Sequence, residues 1–130
     1  MPKILVEVRR PYSSSEVTAL LDSVHAAMVA AFRIPPGDRG VRLIEYDPER
    51  FAVSPELTQP DRYTLITIEC FAGRSVDAKR ALYREIAERL EMLGIPSDHI
   101  SVVIHEISRE NWGMRGIPAS DVELSFKVDV

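Results

Sequence analysis

A chain of 130 residues, 45% hydrophobic and 28% charged, can bury a core of its own, and it reads as one domain over residues 1–130. Its formal net charge of −4 argues against nucleic acid or an anionic membrane as partner, since both need basic surface. A small anionic ligand needs only one or two local arginines. Cys70 is the single cysteine, so neither an intrachain disulfide nor a thiolate zinc cluster can form.

The chain opens Met1-Pro2-Lys3, without the apolar stretch of a signal peptide, and no later window is long and apolar enough to span a membrane. The expected address is the cytoplasm. A strand rich in Ile, Leu and Val is expected from about Lys3 to Arg9. A helix follows Ser13, which has capping-box spacing to Glu16. Its apolar face is Val17, Leu20, Leu21, Val24, Met28 and Ala31, and Ile34-Pro35-Pro36-Gly37 ends it. Val41 to Tyr46 reads as the next strand, and a polar, proline-bearing connector runs from about Asp47 to Arg62. The order then repeats. Tyr63 to Cys70 is a strand, and Asp77 opens a helix whose inner face is Ala78, Leu82, Ile86, Leu90 and Leu93. Gly94-Ile95-Pro96 stops that helix, and Ser101 to Ile107 is the last long strand. A turn around Asn111 to Pro118 and a short terminal strand, Val122 to Val128, complete the chain.

The repetition has a fixed offset. A shift of 61 places Ile4-Leu5-Val6-Glu7-Val8 on Leu65-Ile66-Thr67-Ile68-Glu69, Ser14 on Ser75, Leu21 on Leu82 and Ile34-Pro35 on Ile95-Pro96. The units span about 2–46 and 63–107, with a C-terminal turn and strand over 108–130. Each is a β-α-β element with a parallel crossover. Two in tandem make an α/β (α+β) fold, a four-stranded sheet with both helices on one face. The other sheet face carries Val6 or Leu5 and Ile66 or Thr67. It would meet water unless further copies cover it, so the chain is expected to oligomerise.

No phosphate loop, GxGxxG or HExxH is present, and His25, His99 and His105 have no metal-ligand spacing. His25 reads as structural, and His105 as a partly buried, hydrogen-bonded strand residue. Neither metal nor cofactor is expected. Four features remain. Removing Met1 would turn Pro2 into an N-terminal secondary amine, a base when neutral. Gly73-Arg74-Ser75 joins a strand to a helix start, where Arg74 can bind a carboxylate. Arg74 reads equally as a solvated surface arginine, contributing little to the core. Asp38 lies in Pro35-Pro36-Gly37-Asp38-Arg39, where its plain role is a turn residue paired with Arg39. Trp112 and Met114, beyond the last strand, can wall a pocket.

Together these features resemble the tautomerase superfamily, and specifically its two-unit members. The segment Ala72-Gly73-Arg74-Ser75-Val76-Asp77-Ala78-Lys79 is similar to the Gly-Arg-Ser/Thr segment of the 4-oxalocrotonate tautomerase branch. The stretch Ala19 to Arg39 resembles the malonate semialdehyde decarboxylase branch. The resemblance implies a tautomerase/MIF-like fold and a homotrimer with one site per chain. It implies Pro2 as acid/base, Arg74 on the substrate carboxylate, Asp38 as a further catalytic group, and Trp112, Met114 and Phe71 around the substrate. The implied activity is that of a tautomerase or isomerase on a small 2-oxo or 3-oxo acid, with hydration or a malonate-semialdehyde-type lyase reaction as relatives of it. The alternative is a non-catalytic binding or signalling trimer, which retention of Met1 would favour. Met114 stands where the decarboxylases carry phenylalanine. Phe71 and Ala72 stand where some branches carry a second arginine, which leaves Arg9, Arg10 and Arg115 as candidates for a second carboxylate contact.

Overall fold

The computed structural model describes residues 1–130. Strand β1 (Lys3–Val8) leads through helix α1 (Ser14–Phe32) to β2 (Val41–Glu45), and β3 (Thr64–Phe71) through α2 (Val76–Glu91) to β4 (Ile100–Ile107). The offset of 61 holds for these elements: residues 3–8 fall on 64–69, and 41–45 on 102–106. It also holds where each helix ends. Arg33 caps α1 in the left-handed region at φ 54°, and its counterpart Gly94 follows α2 at φ 84°. Glycine relieves there a strain that arginine keeps.

The sheet order is β2-β1-β3-β4. Each unit contributes a parallel pair, β1 with β2 and β3 with β4, and the units meet through antiparallel β1 and β3. Alternation assigns the faces. Ile4, Val6 and Val8 of β1 and Ile66, Ile68 and Cys70 of β3 form one core with Leu20, Val24, Met28 and Phe32 of α1 and Leu82, Ile86 and Leu90 of α2. Leu5 and Thr67, cross-strand partners, therefore lie on the opposite face, with Ile44 and Val103 each 43% exposed. His105 is on that face too. It is exposed on edge strand β4, not partly buried, because no layer of the chain covers that side.

The α1 cap is the one expected: Ser13 Oγ accepts from Glu16 N, and the Glu16 carboxylate accepts from Ser13 N. Such a cap is worth about 1 kcal/mol. His25 is structural, its Nε2 2.8 Å from the Pro36 carbonyl. The turn after β4 is a short hairpin, β5 (Gly113–Met114) against β6 (Ile117–Pro118). The terminal strand expected over Val122 to Val128 does not form. No strand edge pairs with that segment: at its start Val122 N donates to the Ala119 carbonyl and the Val122 carbonyl accepts from Arg109 Nη2, and just beyond it Ser75 N donates to the Val130 carbonyl. No helix is long and apolar enough to cross a membrane.

Candidate active site

Sheet topology brings the singled-out residues toward one end of the molecule. Register pairs Lys3 with Glu69, so Pro2 lies beside the C-terminal end of β3, just before the Gly73-Arg74-Ser75 loop. On the other side of β1, Ile4 N donates to the Gly40 carbonyl at 2.8 Å, which sets the Asp38 loop next to the chain start. Pro2 is buried. The Met1 amino group ion-pairs with Asp38 Oδ1 at 2.5 Å. Arg39 does not pair with Asp38. It reaches back to Asp22 on α1, so the Asp38 carboxylate is left to the amine.

Beside this pair is a cavity of about 360 Å³, the size of a small-molecule site, lined by Met1, Gly37, Asp38, Met114, Arg115 and residues 122–126 among others. Trp112 and Phe71 are not on its wall. They pack edge-on, 5.1 Å between ring centres, with Phe71 buried. Phe71 also supplies the carbonyl that accepts from Arg74 Nη1 at 3.2 Å.

Arg74 is not a solvated surface residue. It is 6% exposed, with its guanidinium carbon 4.9 Å from the Phe32 ring centre and 6.0 Å from that of Phe126. Burial lowers its pKa from the ordinary arginine value, against the opposing pull of Cys70 and Glu106. Its Nε and Nη2 are buried without a hydrogen-bond partner. A guanidinium with unanswered donors is costly in the empty protein and complementary to an arriving anion. Phe126 is the link between the two halves of the site, since its ring caps Arg74 and it also lines the cavity. Nothing in the sequence singles out Phe126, one apolar position among the alternating Val122, Leu124, Phe126 and Val128. Gly73 makes the close approach possible: at φ 137°, a Cβ there would sit 3.1 Å from a Val128 methyl carbon.

The second unit does not repeat the site. Under the offset of 61, Tyr63 takes the place of Pro2, His99 that of Asp38, and Ser13 that of Arg74. His99 is fully buried, its Nε2 accepting from Gln59 N at 3.0 Å and its Nδ1 2.7 Å from Asp98, so it pins the connector. Cys70 is buried as well, and burial raises its thiol pKa, which suits packing and not nucleophilic attack.

Two β-α-β units in one mixed sheet, with a cavity between the chain's amino terminus, the Asp38 loop, the hairpin and the C-terminal segment, define the class. The family model described as "Tautomerase enzyme" matches residues 38–115, and the chain belongs to that family. A 2-hydroxymuconate tautomerase of Comamonas testosteroni is 37% identical over 51 residues, 38% of this chain and 81% of the relative. Probable tautomerase YusQ of Bacillus subtilis strain 168 is 23% identical over 127 residues, 95% of this chain and all of the relative. Among solved structures, a fused 4-OT asymmetric trimer superposes with a TM-score of 0.81 at 22% identity, covering 91% of this chain and 96% of that one. A malonate semialdehyde decarboxylase gives 0.78 at 24%, covering 86% and 89%. Those two likenesses establish the fold.

Proposed function

We propose that this tautomerase-family enzyme acts on a small 2-oxo or 3-oxo carboxylic acid through the secondary amine of Pro2, freed by removal of Met1. The observation that carries the reading is the chain's amino group held against Asp38 at the cavity mouth, one aromatic ring away from Arg74. Removal of Met1 places the amine one residue further in, at the buried Pro2. The neutral form of this buried secondary amine can accept a proton from carbon, and the Asp38 carboxylate of the neighbouring loop is placed to hold the protonated form. Pro2 then moves a proton between carbon and oxygen, converting enol to keto. Arg74 holds the carboxylate through its unpartnered Nε and Nη2 and spreads the developing charge. Asp38 orients the amine, and it can also activate water, which opens hydration or decarboxylation of the malonate-semialdehyde type. The assembly is read as a homotrimer packed on the uncovered sheet faces, a reading supported by the trimeric state of the fused 4-OT structures.

The test compares the processed protein with a form carrying one extra residue before Pro2, which makes its nitrogen an amide and leaves the core untouched. Ketonisation of phenylenolpyruvate is expected to fall at least about a hundredfold, the usual size of an acid–base contribution. Equal turnover by the two forms removes Pro2 from the mechanism. Native protein that retains Met1 and turns over no enol acid is the non-catalytic binding trimer instead.

A further inference from the structure

The end of the molecule away from Pro2 holds a second cavity. Pro2 precedes β1, whereas Tyr12 follows it, and Tyr12 borders a space of about 270 Å³ between the first turns of α1 and the segment after α2. That volume is at the small end of the range for ligand sites. The walls are apolar: Ala19 and Leu20 on α1, Leu93 and Ile95 beyond α2, with Leu20 and Ile95 belonging to the buried core. The internal repeat accounts for the space. Under the offset of 61, Leu93 takes the place of Phe32, and Ser13 that of Arg74. Where Arg74 and Phe32 stand, the guanidinium packs on the ring and fills the volume. A serine and a leucine do not reach across it.

The polar groups at the rim are chiefly donors. Arg62 stands where the offset puts Met1. Its guanidinium lies over Gly94, the residue between Leu93 and Ile95: a Cβ on Gly94 would be 3.7 Å from its Cζ. Asp61, the adjacent acid, pairs with Arg9 instead, and Arg62 Nη1 is buried without a hydrogen-bond partner. An anion arriving at the rim answers that donor. Arg10 lies over the Tyr12 ring, 5.1 Å from its centre. Burial raises the pKa of the Tyr12 hydroxyl against the pull of Arg62 and Arg10, so the phenol keeps its proton at neutral pH and can donate. Glu16, the one acid on the wall, is committed to the helix cap, its carboxylate accepting from Ser13 N at 3.0 Å. Two arginines against one carboxylate leave a positive rim in front of an apolar hollow.

We propose that this cavity is a second, non-catalytic binding site for a small monocarboxylic acid with an apolar tail, its carboxylate on Arg62 and the Tyr12 hydroxyl and its tail among Ala19, Leu20, Leu93 and Ile95. The site stands apart from the Pro2 reading. Hexanoate is the probe. Because Arg74 is read as a carboxylate site too, the readout is local: methyl NMR of Leu20, Leu93 and Ile95 in the full chain. Hexanoate should shift these methyls saturably, half-saturating at about 10 mM or below, the range open to so few atoms. Hexanol, of the same length without the charge, should bind at least tenfold more weakly. Arg62→Met, which keeps a stem over Gly94, should weaken hexanoate at least tenfold, and Ala19→Phe, which fills the cavity, should abolish the shifts. Arg74→Met should leave the titration unchanged; a loss there assigns the shifts to the Pro2 site and overturns the proposal. Methyls that do not move in hexanoate overturn it, as does equal binding of hexanol, or undiminished binding by Arg62→Met or Ala19→Phe. Should either variant fail to fold, the comparison of hexanoate with hexanol on the wild type decides alone.

Discussion

Replacing Arg74 with methionine should move stability and activity in different directions. The substitution keeps an unbranched stem between Phe32 and Phe126 and removes the charge. In the folded protein the guanidinium gains from one close ring, at 4.9 Å, and one distant ring, at 6.0 Å. Stacking of this kind is worth about 1 kcal/mol per close ring. It gains also from one hydrogen bond to the Phe71 carbonyl, about 2 kcal/mol for a charged donor. Against this, Nε and Nη2 are buried without partners, each costing about 1–3 kcal/mol. The gains and costs nearly cancel, so Arg74→Met should be neutral or stabilised by about 1 kcal/mol. For a chain of this length that raises Tm by roughly 3–5 °C. Turnover should behave otherwise. Losing a charge-assisted carboxylate contact costs about 2–4 kcal/mol, so kcat/KM should fall roughly thirtyfold to a thousandfold. Thermal unfolding and enol ketonisation on one preparation read both effects. A Tm lowered by more than about 5 °C, with turnover retained, would refute the reasoning and make Arg74 a packing residue.

Light scattering or sedimentation should report about three chains, because Leu5, Ile44, Thr67 and Val103 lie on a sheet face that this chain leaves uncovered. A stable monomer at micromolar concentration contradicts that packing. Arg33→Gly should stabilise the protein by about 0.5–1 kcal/mol, since the left-handed conformation costs an L-residue about 1–2 kcal/mol and glycine's lost chain entropy returns part of it. Chemical denaturation measures this, and a loss of stability would mean that the exposed Arg33 side chain holds the end of α1.

The elements that were legible are those whose signal is periodic and local. The apolar spacing from Val17 to Ala31 could only be one face of a helix, and the Ser13–Glu16 spacing located its start to the residue. The offset of 61 located the second unit without further evidence, down to Gly94 answering Arg33. Pro2, Arg74 and Asp38 could be singled out because residue type and position were unusual together. What stayed illegible was everything that depends on neighbours distant in the chain. The terminal strand over Val122 to Val128 was expected from alternation, yet a strand needs an edge, and none pairs with this segment. His105 has the composition of a half-buried strand residue, but it stands on the side of the sheet that nothing in the chain covers.

The sequence by itself therefore determined the two-unit plan, the helix caps and the alternation of each strand, because these follow from short-range spacing and backbone preference. Only the tertiary structure decided which of Leu5 and Val6 meets the core, that the amine pairs with Asp38 while Arg39 goes to Asp22, that Phe126 closes over Arg74, and that Arg115 alone of three candidate arginines reaches the cavity. The physical reason is that burial and electrostatic pairing are properties of surfaces brought together in space. The chain start, the Asp38 loop and the Gly73-Arg74-Ser75 loop come to one end because β1 runs antiparallel to β3 and parallel to β2, a pairing set by the packing of the whole core and not by any one segment.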